Sequence, residues 1–119
     1  MSSLSQATEV GEPREQVQVR GMKHTETEIL NQAIRQWGAE SQVYMLLEEI
    51  GELQQAVCKL RRNNSQGTFE NFVEELADVE LMIDQMKVLY LITPEVAVVR
   101  EQKLERLEKM LWPEGSSNG

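Results

Sequence analysis

The sequence predicts an all-α protein: four helices packed as a bundle and assembled as an oligomer. Three observations carry this. Apolar residues recur with a helical period in four successive segments. Glycine (7), proline (3) and aromatics (5%) are too few in 119 residues for the many turns of a sandwich or barrel. The two longest periodic segments are separated only by Asn63-Asn64-Ser65-Gln66-Gly67, a run of turn formers suited to an antiparallel pair.

The first helix is expected from about Thr25 to Trp37. Thr25 followed by Glu28 matches a reciprocal cap, Ile29, Leu30, Ala33, Ile34 and Trp37 keep the period, and Gly38 is placed to end it. The second runs from about Ala39 to Arg61 or Arg62. Lys59, Arg61 and Arg62 suit the negative end of its dipole. The third is expected after Thr68, read as its cap, and continues to about Tyr90. The fourth begins at Thr93-Pro94-Glu95, with the threonine as cap and proline at the first helical position, and ends near Trp112. Residues 1–22, without apolar period, are expected as a flexible arm. Residues 23–112 form the single domain that 13.7 kDa allows, and 113–119 a flexible tail.

Composition narrows the function. Twenty acids against twelve bases give a net charge of −8, which disfavours nucleic acid as a partner. No stretch has the length of a membrane span, and no basic-then-apolar leader opens the chain, so a cytoplasmic protein is expected. A single cysteine, Cys58, forms no internal disulfide and no cysteine metal cluster; it is read as an inert, at least half-buried thiol.

The informative residues are acids on apolar faces. At about 100° per residue, with Ile50 at zero, Val43, Leu46, Leu47, Leu53 and Val57 fall within about 60° and form the expected core stripe. Glu49 and Glu52 lie at roughly −100° and −160°, in a sector shared with Met45 and Ala56, and Glu48 at about 160°. On the third helix, with Val79 at zero, Phe72, Leu76, Met82, Ile83, Met86 and Tyr90 make the stripe. Glu75 sits inside it at about −40° and Asp78 on its edge at about −100°. Glu74, Glu80 and Asp84 point away and read as solvated acids.

A carboxylate in an apolar stripe costs several kcal/mol unless a cation compensates it. No basic residue shares either stripe. One Glu-x-x-Glu alone is ordinarily a solvated face. Two such pairs on consecutive helices point to a shared site for Mg²⁺ or Mn²⁺, hard cations that take oxygen ligands. A di-iron centre would need Glu-x-x-His, and the only histidine, His24, precedes the first helix.

Glu48-Glu49-Ile50-Gly51-Glu52, followed by Glu75-Leu76-Ala77-Asp78, resembles the EExxE…ExxD signature of the all-α nucleoside triphosphate pyrophosphohydrolases, MazG-like proteins among them. Trp37-Gly38 and Gln42 before the first motif, and Val79 after the second, extend the resemblance over about Ile29 to Leu111. It implies a MazG-type fold, dimeric or tetrameric, and hydrolysis of a (d)NTP to the monophosphate and pyrophosphate. It implies Glu49, Glu52, Glu75 and Asp78 as Mg²⁺ ligands and Glu48 as the group that orients or deprotonates the attacking water. Trp37, Gln42, Lys103 and Arg106 are implied substrate contacts.

Each of these has a plainer reading. Trp37 ends an apolar stripe and fits the core, and Gln42 fits a helix surface. Two alternatives share the acids: a non-catalytic interaction module holding a structural ion, and a phosphoribosyl-ATP pyrophosphatase. Apolar residues outside the main stripes, Met45 and Ala56 on the second helix and Leu81 and Val88 on the third, are expected to be buried between copies.

Overall fold

A computed structural model describes residues 21–114. The regular elements among them are four α-helices: α1 (Glu26–Trp37), α2 (Ala39–Arg62), α3 (Gln66–Tyr90) and α4 (Thr93–Leu111). The fold is all-α, as the periodicity requires. The expected arm at 1–22 lies outside the described residues except Gly21 and Met22, and the tail at 113–119 except Pro113 and Glu114. The chain divides into two compact units, Met1–Leu89 and Tyr90–Gly119.

In the first unit, α1 opens on the predicted reciprocal cap. The Glu28 amide donates to Thr25 Oγ1 at 3.1 Å and the Thr25 amide donates to Glu28 Oε1 at 2.9 Å. Gly38 ends the helix at φ 90°, which a side chain would resist, and its amide closes onto the Ile34 carbonyl at 2.8 Å. The start of α3 differs from expectation. Ser65, not Thr68, is the cap: its hydroxyl accepts from the Thr68 amide at 3.2 Å, while the Ser65 amide donates to Thr68 Oγ1 at 2.9 Å. Thr68 plays the reciprocal role usually given to glutamate, so the helix begins at Gln66 inside the expected loop.

α2 and α3 run antiparallel in a register read from three facing pairs. Gln42 bonds to Gln85, Glu49 meets Asp78, and Glu52 meets Glu75. As the position rises along one helix it falls equally along the other. The pairing face of α2 therefore follows Gln42, Glu49 and Ala56, two turns apart, and Ala56 is fully buried. This corrects the expected core stripe in part: Val43, Leu46 and Leu53 are half-buried as expected, but the packed side of α2 is rotated by about 60° toward the acids. Leu47, Ile50 and Val57, expected inside, are 58%, 38% and 40% exposed. Ala56, expected between copies, is spent within the chain. Leu76 and Ile83 on α3 are likewise exposed, and Asp84, expected in solvent, is buried and paired with Lys87 at 3.2 Å. Cys58 is exposed rather than half-buried.

The interior of this unit is small and partly polar. Gln85 is buried with Leu30 and Gln42, and its Nε2 donates to the Leu30 carbonyl at 3.0 Å and to Gln42 Oε1 at 3.1 Å. One amide thus ties α1, α2 and α3 together.

In the second unit, Leu91 turns the chain in the left-handed region at φ 57°. Thr93 is already helical and makes no cap. Ile92 occupies the cap position without a side-chain hydrogen bond, and Pro94 sits in the first turn, where its missing N–H costs nothing. No residue of α4 is buried. No helix among the described residues is long and apolar enough to cross a membrane.

Candidate metal centre

The antiparallel register of α2 and α3 creates the site. Glu49 and Glu52 lie one turn apart on α2, and Glu75 and Asp78 lie one turn apart on α3. Spacing of three keeps each pair on one side of its helix, and opposite helix directions set Glu49 against Asp78 and Glu52 against Glu75. One carboxylate oxygen from each of Glu49, Glu52 and Glu75 lies within 4.8 Å of the others. Asp78 borders this trio, and its charge acts on both Glu49 and Glu75.

Four like charges in such a space oppose ionisation. The Glu49 carboxyl is pushed from its ordinary 4.5 up to about 7, first by burial, then by the neighbouring Asp78 and Glu52 charges. Glu75 is raised as well, by burial and then by Glu52 and Asp78. No lysine or arginine pairs with any of the four among the described residues. Glu49 Oε2 and Glu75 Oε1 are buried and accept no hydrogen bond. A buried acceptor without a donor is expensive. A hard divalent cation suits this donor set: several carboxylate oxygens, no sulfur, no imidazole. The residues present fit Mg²⁺ or Mn²⁺.

The other residues expected at a site fall elsewhere. Glu48 precedes Glu49, is exposed, and is not one of the converging trio. Trp37, expected more readily in the core, is 64% exposed. It lines an open groove of about 720 Å³ along α1 with His24, Ile29 and Gln36. Gln42 is neither a surface residue nor free to meet a ligand through its carbonyl: it is buried, and its Oε1 is held by Gln85. Lys103 and Arg106 are exposed on α4, in the second unit. Lys103 lies along an apolar groove with Val96, Val99 and Leu107.

Sequence reasoning missed Gln85. Its signal was available, because Gln85 lies seven residues after Asp78 and Gln42 seven before Glu49, on the same helical rows as the acids. With the packed face centred on hydrophobic residues, both glutamines fell outside it.

No protein-family model, curated protein or solved structure matches this chain.

Proposed function

We propose that this chain is a divalent-cation-dependent nucleoside triphosphate pyrophosphohydrolase, converting a (d)NTP and water to the monophosphate and pyrophosphate. The observation supporting it is the convergence of Glu49, Glu52 and Glu75 from two helices, with one buried oxygen on each of Glu49 and Glu75 that accepts no hydrogen bond and, among the described residues, no basic side chain to balance them. Together with the EExxE…ExxD pattern, this supports a divalent cation as the partner of these carboxylates and a polyphosphate as the substrate.

Glu49, Glu52 and Glu75 would hold Mg²⁺ or Mn²⁺, with Asp78 beside them. The ion would supply charge screening between carboxylates and triphosphate and Lewis acidity toward water. The remaining work falls to the chain's own side chains. Glu48 is exposed, next to a ligand, and accepts the proton of the attacking water. Trp37 offers an exposed ring face for a nucleobase.

The test is pyrophosphate release by the full chain with Mg²⁺ across canonical and modified nucleoside triphosphates and phosphoribosyl-ATP. Turnover is expected with at least one nucleoside triphosphate. Glu49→Gln or Glu75→Gln, with helicity unchanged by circular dichroism, is expected to lower kcat by about 10²-fold or more. Turnover confined to phosphoribosyl-ATP reassigns the substrate. Cation binding without any turnover overturns the enzymatic reading and leaves a structural ion.

A further inference from the structure

The two ends of the groove between α2 and α3 differ in chemistry. The register that sets Glu52 against Glu75 also sets Ala56 against Asn71 and Lys59 against Thr68, toward the turn that joins the helices. On the other side of the acids it sets Met45 against Met82. Met45 is 38% exposed and Met82 half-buried, so the acids are bordered there by apolar surface without a charge.

α2 ends in three bases, Lys59, Arg61 and Arg62, all exposed. The helix dipole accommodates the three alike. Only Lys59 shares a row with Glu52: seven residues return it to within about 20° of the same side, about 10.5 Å further along the axis. Arg62 lies about 80° from that row and Arg61 about 180° from it. The Cα–Cβ bond of Lys59 tilts toward the N-terminus of α2, hence toward Glu52, and a flexible four-carbon stem carries the ammonium. Ala56, between them, adds little bulk. Lys59 forms no ion pair with a described residue.

We infer that Lys59 binds the β- and γ-phosphates of the substrate, which lies along the groove with its phosphate tail toward the α2–α3 turn and its nucleoside toward Met45. The inference rests on the pyrophosphohydrolase reading and adds a direction to it. A nucleoside triphosphate has the asymmetry of the groove: an anionic tail at one end, a flat apolar-faced base at the other, and phosphate oxygens between them that carboxylates meet only through a divalent cation. In the reverse direction the most highly charged phosphate would lie on Met45 and Met82, and Lys59 would face an uncharged nucleoside.

The test uses the full chain and two probes in titration calorimetry with Mg²⁺. Inorganic tripolyphosphate is a tail without a nucleoside, and nucleoside monophosphates lack the β- and γ-phosphates. Lys59→Met is expected to weaken tripolyphosphate binding about tenfold, and to leave the Kd values of Mg²⁺ alone and of the monophosphates within about twofold. Lys59→Arg, which keeps the charge, is expected to hold tripolyphosphate within about threefold of wild type. Arg61→Met removes the same charge from the opposite side of α2 and is expected to change Kd by less than about twofold, which separates placement from net charge. Both positions are exposed, so the fold is not at risk, and circular dichroism checks it. Unchanged tripolyphosphate binding in Lys59→Met, equal losses in Lys59→Met and Arg61→Met, or a larger loss for the monophosphates than for tripolyphosphate would overturn the inference and leave the cation centre standing. A wild-type chain that binds neither Mg²⁺ nor tripolyphosphate with Mg²⁺ would overturn the pyrophosphohydrolase reading, and this inference with it.

Discussion

Removing the charge on Glu49, by proton or by mutation, is expected to weaken cation binding at the proposed centre. Its carboxyl titrates at about 7 in the folded chain against an ordinary 4.5. Between those values the folded chain holds a proton that the unfolded chain has released. The stability this group contributes is therefore complete below 4.5 and lost as pH rises through 7, so it favours the ion-free chain at pH 5 over pH 8. A divalent cation has the opposite preference, because it needs the ionised form. With one proton to displace at 7, the apparent Kd for Mg²⁺ is expected to be about tenfold weaker at pH 6 than at pH 8. Glu75 is raised as well, so its protonation opposes the cation with the same sign. A saturating ion at about 100 Kd adds about 2.7 kcal/mol, and thermal melts at both pH values read that gain. Titration calorimetry with Mg²⁺, or Mn²⁺ binding followed by paramagnetic resonance, gives Kd directly. The double variant Glu49→Gln, Glu75→Gln should bind at least about 10²-fold more weakly and melt no lower than wild type without divalent ions. Binding that is equally tight at both pH values, or that survives the double variant, would refute the convergence of these carboxylates on an ion.

Three further substitutions test the packing that holds the centre in place. Gln42→Met keeps the volume but takes the Gln42 carbonyl from the buried Gln85 amide, and is expected to cost about 1–2 kcal/mol in urea unfolding. Ala56→Leu, at a position with no exposed surface between α2 and its neighbours, is expected to cost about 1–3 kcal/mol and to weaken Mg²⁺ binding by moving Glu52, one turn away. Thr25→Ala removes the hydroxyl that caps α1 and is expected to cost about 1 kcal/mol, read as a fall in Tm of several degrees, with cation affinity unchanged.

Local chemistry in the sequence decided the helices. The cap at Thr25, the stop at Gly38 and the turn residues after Arg62 act over three or four neighbours, so they are legible without a fold. Where two local signals competed, the reading went astray. Ser65 and Thr68 are both capping residues, and only their mutual hydrogen bonds show that Ser65 sits outside the helix and Thr68 inside it. The four acids were legible for the same local reason: spacing of three aligns a pair on one helix, whatever the neighbours do.

Which side of α2 faces the chain's own interior is a different kind of question. Ile50 and its apolar companions and Ala56 with its glutamine and glutamate companions are both plausible inner rows. A periodicity measure weighs hydrophobicity, so it chose the first. Tertiary packing chose the second: Ala56 is fully buried on it, and the Gln85 amide holds the Gln42 carbonyl there. That choice places Glu49 and Glu52 opposite Asp78 and Glu75 and leaves Leu47, Ile50 and Val57 exposed. The sequence determined that there would be four helices with acids in pairs. Only the register between two helices, a property of neither one alone, decided that the pairs would meet.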